Sequence, residues 1–523
     1  MIICRTICSS IRTLVFFGVC FSLLASCKDE KSEKYKTVNP NVNQEVRQST
    51  LFSLVSEQSS SFNFINSIHE DEVNNHLSYN YLYNGGGVAI GDLNGDGLPE
   101  VFMASNFGSN KLFLNKGNMV FEDVTQQSGI DPSEGNMGVT MADVNGDGLL
   151  DIYVCRSFSP IPDQRRNHLY INQGGMVFTQ DAQSFGLDDP SFSNHAAFFD
   201  YDNDGDLDMF LINHRVDFKA AMVVNKTDYI NTESRNDQFL QLVEYTKSRF
   251  FRNNGDYTFS DVTDKAGVGG YNFSLSATVA DLNMDGYQDI YVANDFGDPD
   301  NYYVNNGDGS FTDRMRQSFP HISQNSMGTD IFDINEDGLP DVISVDMLAE
   351  GNYRQKQLKG PSPYDRYYLA VSSGLHHQVM RNNLQLNNGD GTFSEIGALA
   401  GISHTDWSWS PLFADFDNDG YSDLFISNGY YRDATDMDYL KYDSPQLTQS
   451  LGGLEKVSQM ALLNIMPITP IQNYVFRNNG DMTFRNMSDS WGFTQRTCTQ
   501  GAAYGDLDLD GDLDLVLNNL GSR

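Results

Sequence analysis

The sequence predicts an all-β fold: a seven-bladed β-propeller with long hairpin loops, its seventh blade incomplete. Three observations predict it. One acidic pattern, Asp-x-[Asp/Asn]-x-Asp-Gly-x-x-[Asp/Glu], occurs seven times, beginning at Asp92, Asp143, Asp200, Asp281, Asp333, Asp415 and Asp506. Short runs rich in β-branched and aromatic residues flank the copies, such as Val101-Phe102-Met103, Ile152-Tyr153-Val154 and Leu424-Phe425-Ile426, as strands require. A second pattern follows six of the copies: an apolar run ending in Asn-x-Gly, then another apolar run, as in Leu112-Phe113-Leu114-Asn115-x-Gly117 and Val120-Phe121. Asn-x-Gly between apolar alternations is a hairpin signal. Each unit therefore reads strand, acidic loop, strand, connection, strand, turn, strand, and four strands repeated seven times make a propeller.

Composition narrows the class further. The 523 residues hold 34 Lys and Arg against 70 Asp and Glu, a formal charge of −36, yet only 20% of the chain is charged and 12% is aromatic. An acidic disordered chain would be poor in aromatics, and a nucleic-acid binder would be basic; both classes are excluded. The carboxylates must be gathered where something neutralises them. Four of six cysteines fall within the first 27 residues, so Cys155 and Cys498 cannot build a disulfide scaffold. They read as small buried hydrophobes, with one long-range bridge as the alternative.

The first element is an address. Arg5 and Arg12 precede the apolar run Leu14 to Leu24, which is too short to span a bilayer and reads as a signal peptide over residues 1–26. Its end, Leu24-Ala25-Ser26-Cys27, resembles the bacterial lipobox, which implies lipidation at Cys27; an ordinary signal peptide with a chance Cys is the alternative. Lys28-Asp29-Glu30 looks like an acidic surface-export tag. The expected location is the cell envelope, as a surface-exposed outer-membrane lipoprotein touching the membrane through its anchor alone. Residues 27–48 are polar and aperiodic, a flexible tether to a propeller over 49–523.

The acidic loops carry the chemistry. Calcium takes six to eight oxygens at about 2.3–2.6 Å. In the first copy Asp92, Asn94 and Asp96 are alternate residues whose oxygens converge when the loop curls, Gly97 allows the turn, and Glu100 closes the cage. The other copies repeat these roles with Asp143, Asn145, Asp147 and Asp151; Asp200, Asp202, Asp204 and Asp208; Asp281, Asn283, Asp285 and Asp289; Asp333, Asn335, Asp337 and Asp341; Asp415, Asp417, Asp419 and Asp423; and Asp506, Asp508, Asp510 and Asp514. These positions hold 24 of the 70 acids, which locates the charge. An EF-hand needs Glu at position 12; here that position is Met103, Val154, Leu211, Val292, Ser344, Ile426 and Leu517. A single copy would also serve as a polar Asp-Gly turn, but seven copies with an acid at position nine point to as many as seven calcium ions.

Spacing between copies is 51, 57, 81, 52, 82 and 91 residues, so a unit of roughly 50 carries three insertions, at about 215–248, 346–382 and 428–473. After the seventh loop only Leu515-Val516-Leu517 precedes the end at Arg523. Leu51 to Val55 fits as a fourth strand of that blade, and a third is expected to be absent.

The residues resemble a known family. Loops and blades are similar to the FG-GAP/VCBS repeats of integrin α-subunit N-terminal propellers and of secreted bacterial proteins. Tyr83-Asn84-Gly85-Gly86-Gly87-Val88-Ala89-Ile90-Gly91-Asp92 resembles bacterial lipoproteins whose long members also carry an ASPIC/UnbV module. Thr405-Asp406-Trp407-Ser408-Trp409-Ser410-Pro411, running on to Ser427-Asn428-Gly429, supports the same match. The resemblance implies a fold, a metal and export, and binding of proteins or glycans.

A partner surface is expected opposite the acidic loops, because the insertions all fall between second and third strands. They hold Tyr367, Tyr368, Arg381, Tyr430, Tyr431 and Arg432, residue types that dominate binding hot spots. Packing of the insertions over the central hole is the competing role, and Trp407 and Trp409 are expected to pack in the blades. A calcium-dependent polysaccharide lyase or hydrolase is the enzyme alternative, with His214, Arg215, His376 and Arg381 as its candidates; a scaffold propeller of a longer lipoprotein is the third.

Overall fold

Each acidic loop reverses the chain, so the runs on either side pair antiparallel and two more strands follow in the same sheet. In the first repeat these are Val88–Gly91, Glu100–Met103, Lys111–Asn115 and Phe121–Asp123, hydrogen-bonded in chain order. Val88 stands opposite Met103 and Gly91 opposite Glu100, which leaves the acidic loop as the hairpin tip. The structure, a computed structural model, describes residues 2–6, 50–218, 242–358, 360 and 363–522. Among them are seven four-stranded antiparallel sheets. The fold is mostly β, built of sheets of the kind that make propeller blades.

The second strands are buried along almost their whole length because both faces of each sheet are covered. Val101, Phe102 and Met103 are wholly buried. Phe102 and Leu112 of the first sheet share one cluster with Ile152, Val154 and Tyr170 of the second. Phe210, Ile212 and Phe250 meet Ala277, Ile290 and Val292 in the same way. Each large apolar side chain buried like this contributes about 1.5–3 kcal/mol. The first strands touch in a cycle: Val88–Gly91, Asn136–Ala142, Ser193–Phe199, Ser274–Ala280, Thr329–Phe332, Ser408–Ala414, Thr499–Gly505 and back to Val88–Gly91. Some contacts leave no room for a side chain. A Cβ on Gly138 would lie 2.4 Å from the Asn194 carbonyl oxygen, and one on Gly328 1.8 Å from that of Trp409.

The seventh sheet corrects one expectation. Its first two strands are Thr499–Gly505 and Asp514–Asn519, and Phe52–Leu54 supplies the outer strand. The third place is not empty: Ile2–Thr6 occupies it, pairing with both neighbours. The β-branched pair Ile2-Ile3 suits a strand as well as it suits a leader. Residues 7–49, which include most of the expected signal peptide, Cys27 and the tether, lie outside the described residues. Cys155 and Cys498 are buried free thiols. No helix among the described residues is long and apolar enough to cross a membrane.

Connections from second to third strands leave the end of each sheet opposite the acidic loops, and the insertions emerge there. They contain the short helices Asn352–Gln357, Tyr364–Ser372, Ser444–Ser450 and Gln459–Asn464. Partly buried ion pairs fasten them. Arg354 reaches Asp406 at 2.9 Å and Asp433 at 2.9 Å, and Arg432 reaches Glu70 at 2.8 Å.

Candidate metal centres and the opposite-face cavity

Every acidic loop is organised by the same local hydrogen bonds. The position-one Asp accepts the N–H of the position-six Gly, from 2.8 Å at Asp92 and Gly97 to 3.0 Å at Asp506 and Gly511. The position-five Asp accepts the next-but-one N–H, as Asp96 does from Leu98 at 2.9 Å. Positions four and six take left-handed backbone, with φ of 77° at Gly95 and 86° at Gly97. Position four also admits Asn203, Met284, Glu336, Asn418 and Leu509 at φ of 55–60°, whereas position six, at 85–96°, is Gly in every loop.

The position-nine acid joins the loop to the sheet. Asp151 accepts the Val144 N–H at 3.1 Å and, with its other oxygen, the Asn172 N–H at 2.8 Å. The Asn172 side chain then donates to the carbonyl of Leu93 in the first loop at 2.8 Å. Asn115 does the same to Leu507 of the seventh loop, and Asn305, Asn387 and Asn478 reach Tyr201, Leu282 and Ile334. One asparagine at the end of a third strand thus ties neighbouring loops together.

Burial raises the position-nine acids: Glu100, Asp208, Asp341 and Asp423 to about 7, Asp151 and Asp289 to about 6, helped by the carboxylates of positions one, three or five. A bare loop holds these groups towards protonation, and a cation relieves both causes. In three loops one oxygen each of Asp200, Asp202 and Asp208, of Asp415, Asp417 and Asp423, and of Asp506, Asp508 and Asp514 lie within 4.8 Å of one another. These three Asp triads can bind metal ions. The buried Oδ1 atoms of Asp202 and Asp417 have no hydrogen-bond partner, which fits a cation as their missing neighbour.

Charge is matched from loop to loop. Where position three is Asn, the residue before the third-strand Asn is apolar: Leu114, Ile171, Val304 and Leu386. Where it is Asp, that residue is Arg. Arg477 Nε lies 2.7 Å from Asp417 Oδ2, and the charge of Arg252 opposes the rise that burial imposes on Asp202. Arg5 holds the same register position beside the seventh loop. In EDTA, Arg477→Leu is expected to lower the melting temperature by about 1–2 °C, and Arg477→Leu/Asp417→Asn to restore it. An unchanged melt for the single variant would make the pairing incidental.

The opposite end holds a cavity of about 950 Å³ between the insertions. Tyr367 and Tyr430 line it. Tyr430, 5% exposed, lies parallel to Trp407 with ring centroids 4.3 Å apart and donates to the Asn80 carbonyl at 2.9 Å. Tyr368 is exposed on the helix that carries Tyr367. Arg381 is held by Glu395 at 2.7 Å and Arg432 by Glu70, while Tyr431 is half-buried against Tyr83. Of the four candidates for an enzyme, His376 lines the cavity. His214 is fully buried, its pKa pushed down to about 3 by burial, and Arg215 lies over the Tyr271 ring at 4.1 Å. His376 Nε2 donates to the Phe319 carbonyl at 2.8 Å.

The model of the FG-GAP-like repeat family matches residues 92–154, 234–292, 281–344 and 368–426. The chain carries FG-GAP-like repeats. Cartilage acidic protein 1 is a distant relative: that of Xenopus tropicalis is 33% identical over 140 residues, 26% of this chain and 21% of its own length. The Mus musculus protein is 32% identical over 130 residues, 25% of this chain and 20% of its own. The match thus spans about a fifth of each relative. A lectin of Agrocybe aegerita, solved for its specific recognition of non-reducing terminal N-acetylglucosamine, aligns over 83% of this chain and 85% of its own, with 16% identity and a TM-score of 0.39.

Two features of the FG-GAP-like repeats escaped the sequence reading. The third-strand Asn is legible there only as a turn former, a role it also plays: Asn172 Oδ1 accepts the Gly174 N–H at 2.9 Å. The Arg or apolar residue before it acquires a role only through the register that sets it beside the loop, as with Arg477 and Asp417.

Proposed function

We propose that the chain is a calcium-stabilised, lipid-anchored binding module of the cell envelope, a seven-bladed propeller that recognises protein or polysaccharide through the face opposite its calcium loops. The observation that carries this is the separation of two kinds of surface. Acidic loops with oxygen donors alone, the set that suits calcium over softer metals, occupy one end of the sheets. Aromatic and cationic insertion residues surround a cavity at the other. Anchorage at Cys27 and surface exposure belong to the same proposal and rest on Leu24 to Glu30; on this reading cleavage before Cys27 removes Ile2–Thr6, and the seventh sheet of the anchored chain keeps its other three strands.

The test blocks the cavity from an exposed helix. Ala370 lines it and lies half-buried on Tyr364–Ser372, so Ala370→Trp fills space without entering a blade core. Partners captured from a glycan array and from surface-protein extracts by the wild type are expected to be lost by Ala370→Trp, with melting temperature unchanged. Capture retained in full by that variant contradicts an insertion-face site.

A further inference from the structure

The cavity reverses the charge of the molecule. In a chain with 70 acids against 34 bases, its lining includes Lys356, Arg366 and Lys441 but a single carboxylate, Asp295. Lys356 and Lys441 are exposed and Arg366 half-buried, and none of the three has a carboxylate partner among the described residues. Asp295 is already engaged, accepting the Tyr81 hydroxyl at 3.2 Å and the Phe296 N–H at 2.5 Å. Cations gathered at a low-dielectric opening in an acidic surface draw anions to that point and to few others.

The walls add a second chemistry. Trp407, Trp409 and Tyr430 form a parallel stack, with Tyr430 centroids 4.3 and 6.0 Å from the two indoles. Beside it the cavity has buried polar atoms left without partners: both Nδ2 and Oδ1 of Asn84 and the indole Nε1 of Trp407. Trp407 is 7% exposed, so its N–H is a desolvated donor. An orphan of this kind is destabilising until something satisfies it. A sugar ring offers apolar C–H faces for aromatic walls, and hydroxyls that both donate and accept. The volume lies at the upper end of ordinary small-ligand pockets, ~300–1,000 Å³.

We propose that this cavity binds the end of an anionic saccharide, with Lys356, Arg366 and Lys441 meeting its carboxylate or sulfate and Asn84 and Trp407 meeting its hydroxyls. The assignment rests on the insertion-face reading above and names its ligand class.

The full chain, calcium-loaded, is titrated calorimetrically with trigalacturonate, with neutral galactotriose and with a heparin-derived tetrasaccharide, and tryptophan fluorescence is followed in parallel. At least one anionic probe is expected to bind tenfold or more tightly than galactotriose; which one separates a carboxylated from a sulfated source. Lys356→Gln/Arg366→Gln/Lys441→Gln should erase that preference, and Ala370→Trp should abolish binding of all probes. Equal affinity for neutral and anionic probes, no binding of any, or binding that survives Ala370→Trp overturns the assignment. If extracts then yield a protein partner that Ala370→Trp loses, the insertion-face reading stands and only the saccharide assignment falls.

Discussion

In EDTA at pH 7.5 the protein is expected to melt more than about 10 °C below its temperature in millimolar calcium. A ligand at a hundredfold excess over its Kd stabilises by about 2.7 kcal/mol per site, and up to seven sites lie in loops whose bonds tie neighbouring sheets. The size of the gap should depend on pH, with a definite sign. Burial raises the folded-state pKa of the position-nine acids to about 6–7. A bare folded chain therefore holds protons that the unfolded chain releases, so its stability falls as pH rises from the ordinary carboxylate range through about 7. Bound calcium keeps the same groups ionised, and the loss does not occur. Asp295 and Asp300, raised to about 7, and His76 and His195, lowered to about 4, titrate with and without calcium. They cancel in the difference between the two melts. That difference should widen from pH 5 to pH 7.5; a gap that is constant or shrinks would place the stabilisation elsewhere.

Asn172→Ala is expected to cost about 2–4 kcal/mol in chemical denaturation. The side chain is 2% exposed and its amide serves three backbone groups: the buried carbonyl of Leu93 at 2.8 Å, and the half-buried carbonyl of Leu150 at 3.1 Å and N–H of Gly174 at 2.9 Å. Truncation leaves all three without that partner and cuts the bond between the first and second loops. Gln173→Ala, at an exposed neighbouring position, is expected to change stability by less than about 0.5 kcal/mol. Similar losses for both would reduce Asn172 to a turn former.

What was legible in the sequence is what the chain decides locally. Each acidic loop closes on bonds that span two to seven residues, as between Asp96 and Leu98 or Asp151 and Val144, so residue type and spacing suffice to read it. The four-strand units follow, because period-two runs around fixed turns have one plausible pairing. Distant partners were not legible. Asn172 meets Leu93 across 79 residues, and Arg354 meets Asp433 across another 79; nothing in either segment names the other. The short insertion helices depend on such ties, since six to nine residues do not hold a helix alone. Ile2–Thr6 shows the limit of reading by position: β-branched residues ahead of an apolar run suit a leader or a strand, and the pairing with Asp514–Asn519 is written in neither segment.

The repeated loops are expected to hold calcium. The most direct test counts the metal. Protein equilibrated in millimolar calcium, then passed rapidly into metal-free buffer, is assayed by inductively coupled plasma mass spectrometry against protein concentration. Several calcium ions per chain, approaching seven, are expected, falling by one when Asp415→Ala and Asp423→Ala are combined. Calcium at or below one per chain, or a count that this pair leaves unchanged, would contradict it.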